Sequence, residues 1–169
     1  MVFGDSTKFA IEVALEPNSS TRFMGKEPLG RIRAWVGGMP FGAWEEPSCP
    51  FGALADELRE KGQSKYIAWH PSLEAKSAEA RFQALDSLLY HPDSADRISS
   101  SLDNSSILTN TVECFDGIKA FALTPPDGTI QLLISDQFGG FAETVVDRTL
   151  MGTVASELMD WIRNERRDA

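Results

Sequence analysis

Hydrophobic residues alternate with polar or small residues in two N-terminal stretches, Phe9–Leu15 and 31–36. A period of two is typical of a strand that buries one face. In the second stretch Ile32, Ala34 and Val36 share one face, and Arg31, Arg33 and Trp35 share the other. Gly37-Gly38 follows, and glycine accepts the positive φ of a tight turn. The pattern predicts two strands and a hairpin into a short third strand over 39–44.

Helical spacing of hydrophobic residues occurs three times further along the chain. One helix is predicted from about Phe51 to Gly62, a second over 78–89, and a third over 150–162. Their expected N-terminal caps are Ser72 or Ser77 for the second helix and Asp147 or Thr149 for the third.

Four β-rich runs lie between the second and third helices, over 107–115, 118–124, 129–135 and 141–146. Asp-Gly and Gly-Gly dipeptides separate them, which favours an antiparallel meander. The expected fold is therefore α+β, with one domain over residues 1–169. Its sheet is mainly antiparallel, formed by the N-terminal strand and hairpin and the C-terminal meander, with three helices packed on it.

The composition is that of a globular protein, with 42% hydrophobic and 24% charged residues in a chain of 169. The 16 Lys and Arg residues against 25 Asp and Glu residues leave a net charge of −9. This balance argues against nucleic-acid binding, because phosphates require a basic surface.

The N-terminus lacks the pattern of a signal peptide, and no apolar run reaches the ~18 residues of a membrane helix. We therefore expect a cytoplasmic protein without membrane contacts. Cys49 and Cys114 do not form a C-x-x-C pair, so we expect two reduced and mostly buried thiols, with a single disulfide in an exported protein as the alternative. No ligand spacing predicts a metal site, and no phosphate or dinucleotide motif predicts a cofactor.

Few residues suit catalysis. His70 and His91 each precede a proline at a predicted helix boundary, where exposed side chains are usual. A small hydrolase that uses a carboxylate, or a dyad of Cys114 with either histidine, stays open as an alternative. Clustered carboxylates are typical of a solvated face in so acidic a chain. Arg31, Arg33 and Trp35 form either a binding surface or a face whose arginines pair with acids of a neighbouring strand.

Specific motifs mark the first fifty residues: Phe3-Gly4-Asp5, Phe9-Ala10-Ile11-Glu12, Gly30-Arg31-Ile32-Arg33-Ala34-Trp35-Val36-Gly37-Gly38 and Phe41-Gly42. The chain thereby resembles the immunity protein 42 family of bacterial polymorphic-toxin systems. Beyond these residues the resemblance rests on element order and length. It implies a non-enzymatic protein that binds and neutralises a cognate toxin stoichiometrically, by occluding or distorting the toxin's active site.

The negative charge suits a basic toxin as the partner, because opposite charges speed association. Clustered acids beside an aromatic residue indicate the candidate toxin-binding positions, which are either Trp44, Glu45 and Glu46 or Asp56, Glu57 and Glu60. The alternative function is an adaptor domain of unrelated biology that binds an apolar peptide through the meander.

Overall fold

The computed structural model describes residues 1–17, 23–24, 27–45, 48–63, 68–90, 102–109 and 111–167. The strands in these ranges are β1 (Val2–Asp5), β2 (Phe9–Leu15), β3 (Phe23–Met24), β4 (Glu27–Val36), β5 (Met39–Phe41), β6 (Cys49–Pro50), β7 (Ile118–Leu123), β8 (Ile130–Asp136) and β9 (Phe141–Val146). The helices are α1 (Gly52–Gln63), α2 (Ala78–Tyr90) and α3 (Arg148–Arg167), with short 3-10 helices at Pro71–Leu73, Asp103–Ser105 and Glu113–Phe115.

Strand β4 is the centre of a six-stranded antiparallel sheet. It pairs with β2, β3, β5 and β6, and β1 adds to the outer edge of β2. The predicted hairpin at Gly37-Gly38 is confirmed, with φ angles of 58° and 84°. The sequence prediction started β4 after Gly30 and extended its partner to residue 44, whereas the sheet includes Glu27 and β5 ends at Phe41. Strands β1, β3 and β6 were not predicted.

Strands β7, β8 and β9 form a separate three-stranded antiparallel sheet, which confirms three runs of the predicted meander. The strand predicted over 107–115 is wrong. Only Ser106 bridges to Phe121, and the segment continues through turns into a 3-10 helix. Leu108 has a φ of 63°, and its N–H donates to the carboxylate of Glu57 in α1 at 3.0 Å. The N–H of Leu108 thus donates to a side chain of another element and not to a neighbouring strand.

The main hydrophobic core lies between the inner face of the six-stranded sheet, helices α1 and α3, and one face of the three-stranded sheet. A smaller core lies between the other face of the three-stranded sheet and α2. Ala120 and Ala122 of β7 therefore face the main core, and Phe121 and Leu123 face the smaller one. These layers confirm the predicted α+β class, although the helices cover two sheets rather than one.

Side-chain oxygens cap two helices, and in each case the capping residue is one of the two that the sequence predicted. Ser77 accepts the N–H of Ala80 at the start of α2, and Asp147 accepts that of Leu150 at the start of α3. Helix α1 is capped from a distance, because Glu27 of β4 accepts the N–H of Gly52 at 2.6 Å. These bonds satisfy donors that lack partners within a helix.

A disulfide joins Cys49 in β6 to Cys114 in the 3-10 helix Glu113–Phe115, with Cα atoms 6.4 Å apart. The expectation of two reduced thiols is therefore wrong, and so is the placement of Cys114 within a strand. The two residues are 65 positions apart in sequence. Only the packing of β6 beside the segment before β7 brings them within disulfide range.

Candidate protein-binding surface

One face of the six-stranded sheet points away from the main core. Strand alternation places Arg31, Arg33 and Trp35 of β4 on this face, with Glu12 of β2 opposite Arg33 in the register. All four side chains are half-buried. Their neighbours along each strand face inward and fill the core. We call this surface the outer sheet face.

Arg33 is the centre of the polar contacts on the outer sheet face. Its Nε donates to Oε2 of Glu12 at 2.7 Å, and Trp35 Nε1 donates to the same oxygen at 2.8 Å. The guanidinium carbon of Arg33 lies 4.9 Å from the ring centroid of Trp35 and 4.5 Å from that of Trp44. Both distances suit cation–π contact. The arginine is therefore held by one carboxylate and two indole rings.

These contacts change the acidity of Glu12. The hydrogen bond from Arg33, followed by that from Trp35, holds the pKa of the Glu12 carboxyl below its usual value, although burial opposes the shift. Glu12 is therefore ionised at neutral pH and fixes the arginine in place. The expectation that arginines of this face pair with acids on a neighbouring strand is confirmed for Arg33.

The outer sheet face offers a rigid plane of indole and guanidinium groups. Trp and Arg are the residue types that most often dominate binding energy at protein interfaces. Because the contacts with Glu12 and Trp44 exist in the free protein, little side-chain entropy is lost when a partner binds. Among the described residues of the strands that form it, this face contains no thiol, imidazole or hydroxyl group suited to catalysis.

The first set of predicted toxin-binding residues borders this face. Trp44 follows β5 in a turn and packs on Arg33, and Glu45 beside it is exposed. Glu46 lies outside the described residues. Sequence reasoning singled out Trp44 and, separately, Arg33, and the tertiary structure joins them. It missed Glu12, whose position opposite Arg33 follows only from the register of β2 and β4.

The second set lies on α1 and divides by exposure. Asp56 and Glu60 are exposed, and Asp56 pairs with Arg59 one turn along at 2.8 Å. Glu57 is half-buried and accepts hydrogen bonds from Leu108 N and the Thr111 hydroxyl, the latter at 2.7 Å. Glu57 therefore ties α1 to the segment that precedes β7. Within the described ranges, no hydrogen bond or ion pair joins this set to Trp44 or Glu45.

The catalytic alternative finds no support in the geometry. The Cys114 sulfur is bonded to Cys49, so it is not available as a nucleophile. His70 caps the 3-10 helix Pro71–Leu73 and contacts the Ser72 hydroxyl at 2.7 Å, and His91 lies outside the described residues. No group of three His, Cys, Asp or Glu residues in the described ranges is arranged to hold a metal ion. Those ranges also contain no helix long and apolar enough to cross a membrane.

Comparison with known proteins identifies the family. The family model described as immunity protein 42 matches residues 1–161, which is nearly the whole chain. The chain belongs to the immunity protein 42 family. Membership confirms the resemblance seen in the first fifty residues and extends it into α3. The protein is accordingly an immunity protein, whose function is to neutralise a toxin.

The fold of this immunity protein is similar to that in the crystal structure of CdiI from Burkholderia dolosa AUO158. The TM-score is 0.70, with 16% identity over 95% of this chain and 99% of that chain. At this identity the likeness concerns the fold. A search of curated proteins gave no match.

Glycines among the motif residues that the chain shares with this family have structural roles. A Cβ atom on Gly4 would lie 2.6 Å from the carbonyl oxygen of Phe9, and one on Gly30 would lie 2.0 Å from that of Ala14. No side chain fits at such distances. These motif glycines therefore allow strands to approach closely, and the family motif does not by itself indicate the toxin-binding residues.

Proposed function

We propose that this immunity protein protects the cell that produces it by binding a cognate toxin stoichiometrically, without catalysing a reaction of its own. The family match over residues 1–161 carries the proposal. In this mechanism the bound immunity protein occludes or distorts the active site of the toxin. One domain over residues 1–169 performs this function, without a cofactor.

The partner that suits this chain is a basic protein. With a net charge of −9, the immunity protein attracts a positively charged toxin and raises the rate of productive encounter. The same charge repels nucleic acids and anionic membranes, so neither is proposed as a ligand.

We place this binding in the cytoplasm, where a toxin that enters or is made in the cell would act. Cytoplasmic thiols are mostly kept reduced, and a disulfide persists there if it resists reduction thermodynamically or if burial shields it from attacking thiols. Cys49 and Cys114 are 1% and 0% exposed. This burial supports persistence of the bond in a reducing compartment.

The toxin contact is proposed at Trp44 and the adjoining acids Glu45 and Glu46. Trp44 gives an aromatic group already positioned against Arg33, and Glu45 gives an exposed negative charge beside it. An aromatic centre with a charged rim is typical of energetically important interface regions. Asp56 and Glu60 of α1 form the alternative contact, whereas Glu57 is engaged within the protein.

The test is binding and protection with the toxin encoded beside the immunity gene. The purified proteins are mixed, and the stoichiometry and Kd are measured by titration calorimetry, while growth is followed in cells that express the toxin with and without the immunity protein. We expect a tight 1:1 complex and restored growth. Lack of binding together with lack of protection would contradict the proposed function.

A Trp44→Ala variant locates the contact, and an Asp56→Ala variant is its matched comparison on α1. We expect Trp44→Ala to weaken toxin binding by about tenfold or more, since buried aromatic anchors typically contribute at least this much. Asp56→Ala is expected to change the Kd little. The reverse result would assign the contact to α1.

A further inference from the structure

An exposed aromatic residue lies in the turn between β8 and β9, far along the chain from Trp44. The Phe138 side chain is 87% exposed, the highest value among the large hydrophobic side chains of the described ranges. An exposed phenylalanine side chain is unfavourable in water, because burial of its apolar surface lowers the free energy. Such a residue at the tip of a hairpin is suited to contact with a partner protein.

The hairpin holds Phe138 in a defined position. Oδ1 of Asp136 accepts the N–H of Phe138 at 2.9 Å and the N–H of Gly140 at 2.8 Å. The Asp136 N–H donates in turn to the carbonyl of Gly140 at 3.1 Å, and Gly139 has the φ of 88° that the turn requires. The exposure of Phe138 is therefore a property of an ordered turn, and binding would cost little additional ordering.

The surroundings of the hairpin are rich in acids. Asp136 and Gln137 form one side of a cleft of about 530 Å³, which α2 borders on the other side. Lys119 in this cleft is paired with Asp86 of α2, so its charge is compensated. Asp116 is exposed, and its neighbour Gly117 packs against the hairpin. A Cβ atom added to Gly117 would lie only 2.9 Å from the Gln137 side chain. Phe138 thus projects from a surface with excess negative charge.

We propose that Phe138 is an anchor residue for the toxin, and that it inserts into an apolar pocket on the toxin while nearby carboxylates, Asp116 among them, face basic side chains around that pocket. The proposal rests on the proposed function and adds a contact to it. An aromatic anchor with a charged rim fits the usual composition of interface centres.

The charges argue for the toxin rather than a second copy of this chain as the occupant. Two copies joined through their hairpins would bring Asp116 and Asp136 of one chain near the same acids of the other. Each chain also carries a net charge of −9, so the copies repel each other. A basic toxin would instead be attracted to this surface.

Toxin affinity of three variants tests the proposal, with the toxin domain encoded beside the immunity gene as the probe. Phe138→Ala removes the anchor, Phe138→Leu keeps an apolar side chain, and Val145→Ala trims a residue that is 52% exposed at the end of β9 away from the turn. Titration calorimetry gives Kd, and thermal unfolding shows that each variant is folded. We expect a loss of about 10- to 100-fold for Phe138→Ala, a smaller loss for Phe138→Leu and none for Val145→Ala.

The outcomes separate this inference from the function on which it rests. If the unaltered protein binds the toxin and Phe138→Ala binds within about twofold of it, Phe138 is not an anchor, although the protein remains a toxin inhibitor. Light scattering on the free protein detects a homodimer, and a dimer that Phe138→Ala dissociates without loss of toxin affinity would assign Phe138 to self-association. If the unaltered protein does not bind the toxin, both proposals fail.

Discussion

Arg33 on β4 donates its Nε–H to Glu12 on β2, and the bond is 2.7 Å long. The two side chains remain 27% and 19% exposed, so the pair is neither fully buried nor fully solvated. Glu12 also accepts from Trp35, and Arg33 lies against Trp35 and Trp44. This pair therefore organises the outer sheet face, and its disruption affects both stability and the proposed toxin contact.

Replacement of Glu12 by glutamine removes the charge and weakens both hydrogen bonds. We expect Glu12→Gln to lower the free energy of unfolding by about 1 kcal/mol, because the pair is only partly shielded from solvent. Urea unfolding measures the difference. Glu60→Gln, on an exposed position of α1, is the control and should leave stability unchanged. Equal unfolding free energies for Glu12→Gln and Glu60→Gln would show that the pair of Glu12 and Arg33 contributes nothing to stability.

The contribution of Glu12 to stability depends on pH. Hydrogen bonds from Arg33 and then Trp35 lower the pKa of Glu12 in the folded protein, so folding favours its ionised form. The contribution is complete above the unfolded pKa of about 4.3 and is lost as the pH falls through the lower folded pKa. The stability gap between the unaltered protein and Glu12→Gln should therefore close in acid. A gap that widens there would contradict this assignment.

The disulfide stabilises the fold by restricting the unfolded chain over a separation of 65 residues. We expect the Cys49→Ser and Cys114→Ser double variant to lose about 2–4 kcal/mol of unfolding free energy. Reductant should destabilise the unaltered protein in urea and leave the double variant unchanged. Because both sulfurs are buried, thiol titration should detect free cysteines only when reductant and denaturant act together. Two free thiols in denatured, unreduced protein would show that no disulfide forms.

Glu57 and Glu60 lie on the same helix, but we expect them to differ in their contribution to stability. Glu57→Ala leaves the N–H of Leu108 and the hydroxyl of Thr111 without their acceptor, which should lower stability by about 1–3 kcal/mol. Glu60→Ala removes an exposed side chain and should be neutral in thermal unfolding. If Glu57→Ala instead leaves stability intact and weakens toxin binding, Glu57 belongs to the interface.

Association with a basic toxin should depend on salt. Ions screen long-range attraction between exposed charges, and the screening length falls from about 10 Å at 0.1 M to about 3 Å at 1 M ionic strength. We expect the association rate to fall about tenfold or more over this range, with a smaller change in the dissociation rate. Stopped-flow fluorescence measures both. An association rate that salt leaves unchanged would indicate that charge does not steer the encounter.

The sequence alone determined the local elements whose periodicity agrees with their burial. Alternation in Phe9–Leu15 and the Gly37-Gly38 turn predicted a strand and a hairpin, because one face of each strand packs into the core. The helical spacing of α3 was equally clear, since its apolar stripe faces the main core. The motif residues in the first fifty positions also identified the family.

Only the tertiary structure decided how distant segments meet. The segment over 107–115 has the composition of a strand, yet Glu57 of α1 binds its N–H and hydroxyl groups and a 3-10 helix replaces the ladder. Cys49 and Cys114 form a disulfide because β6 pairs with β4 beside that segment. Local patterns describe which side of an element is apolar, but register and sheet packing determine which polar groups from different elements become partners.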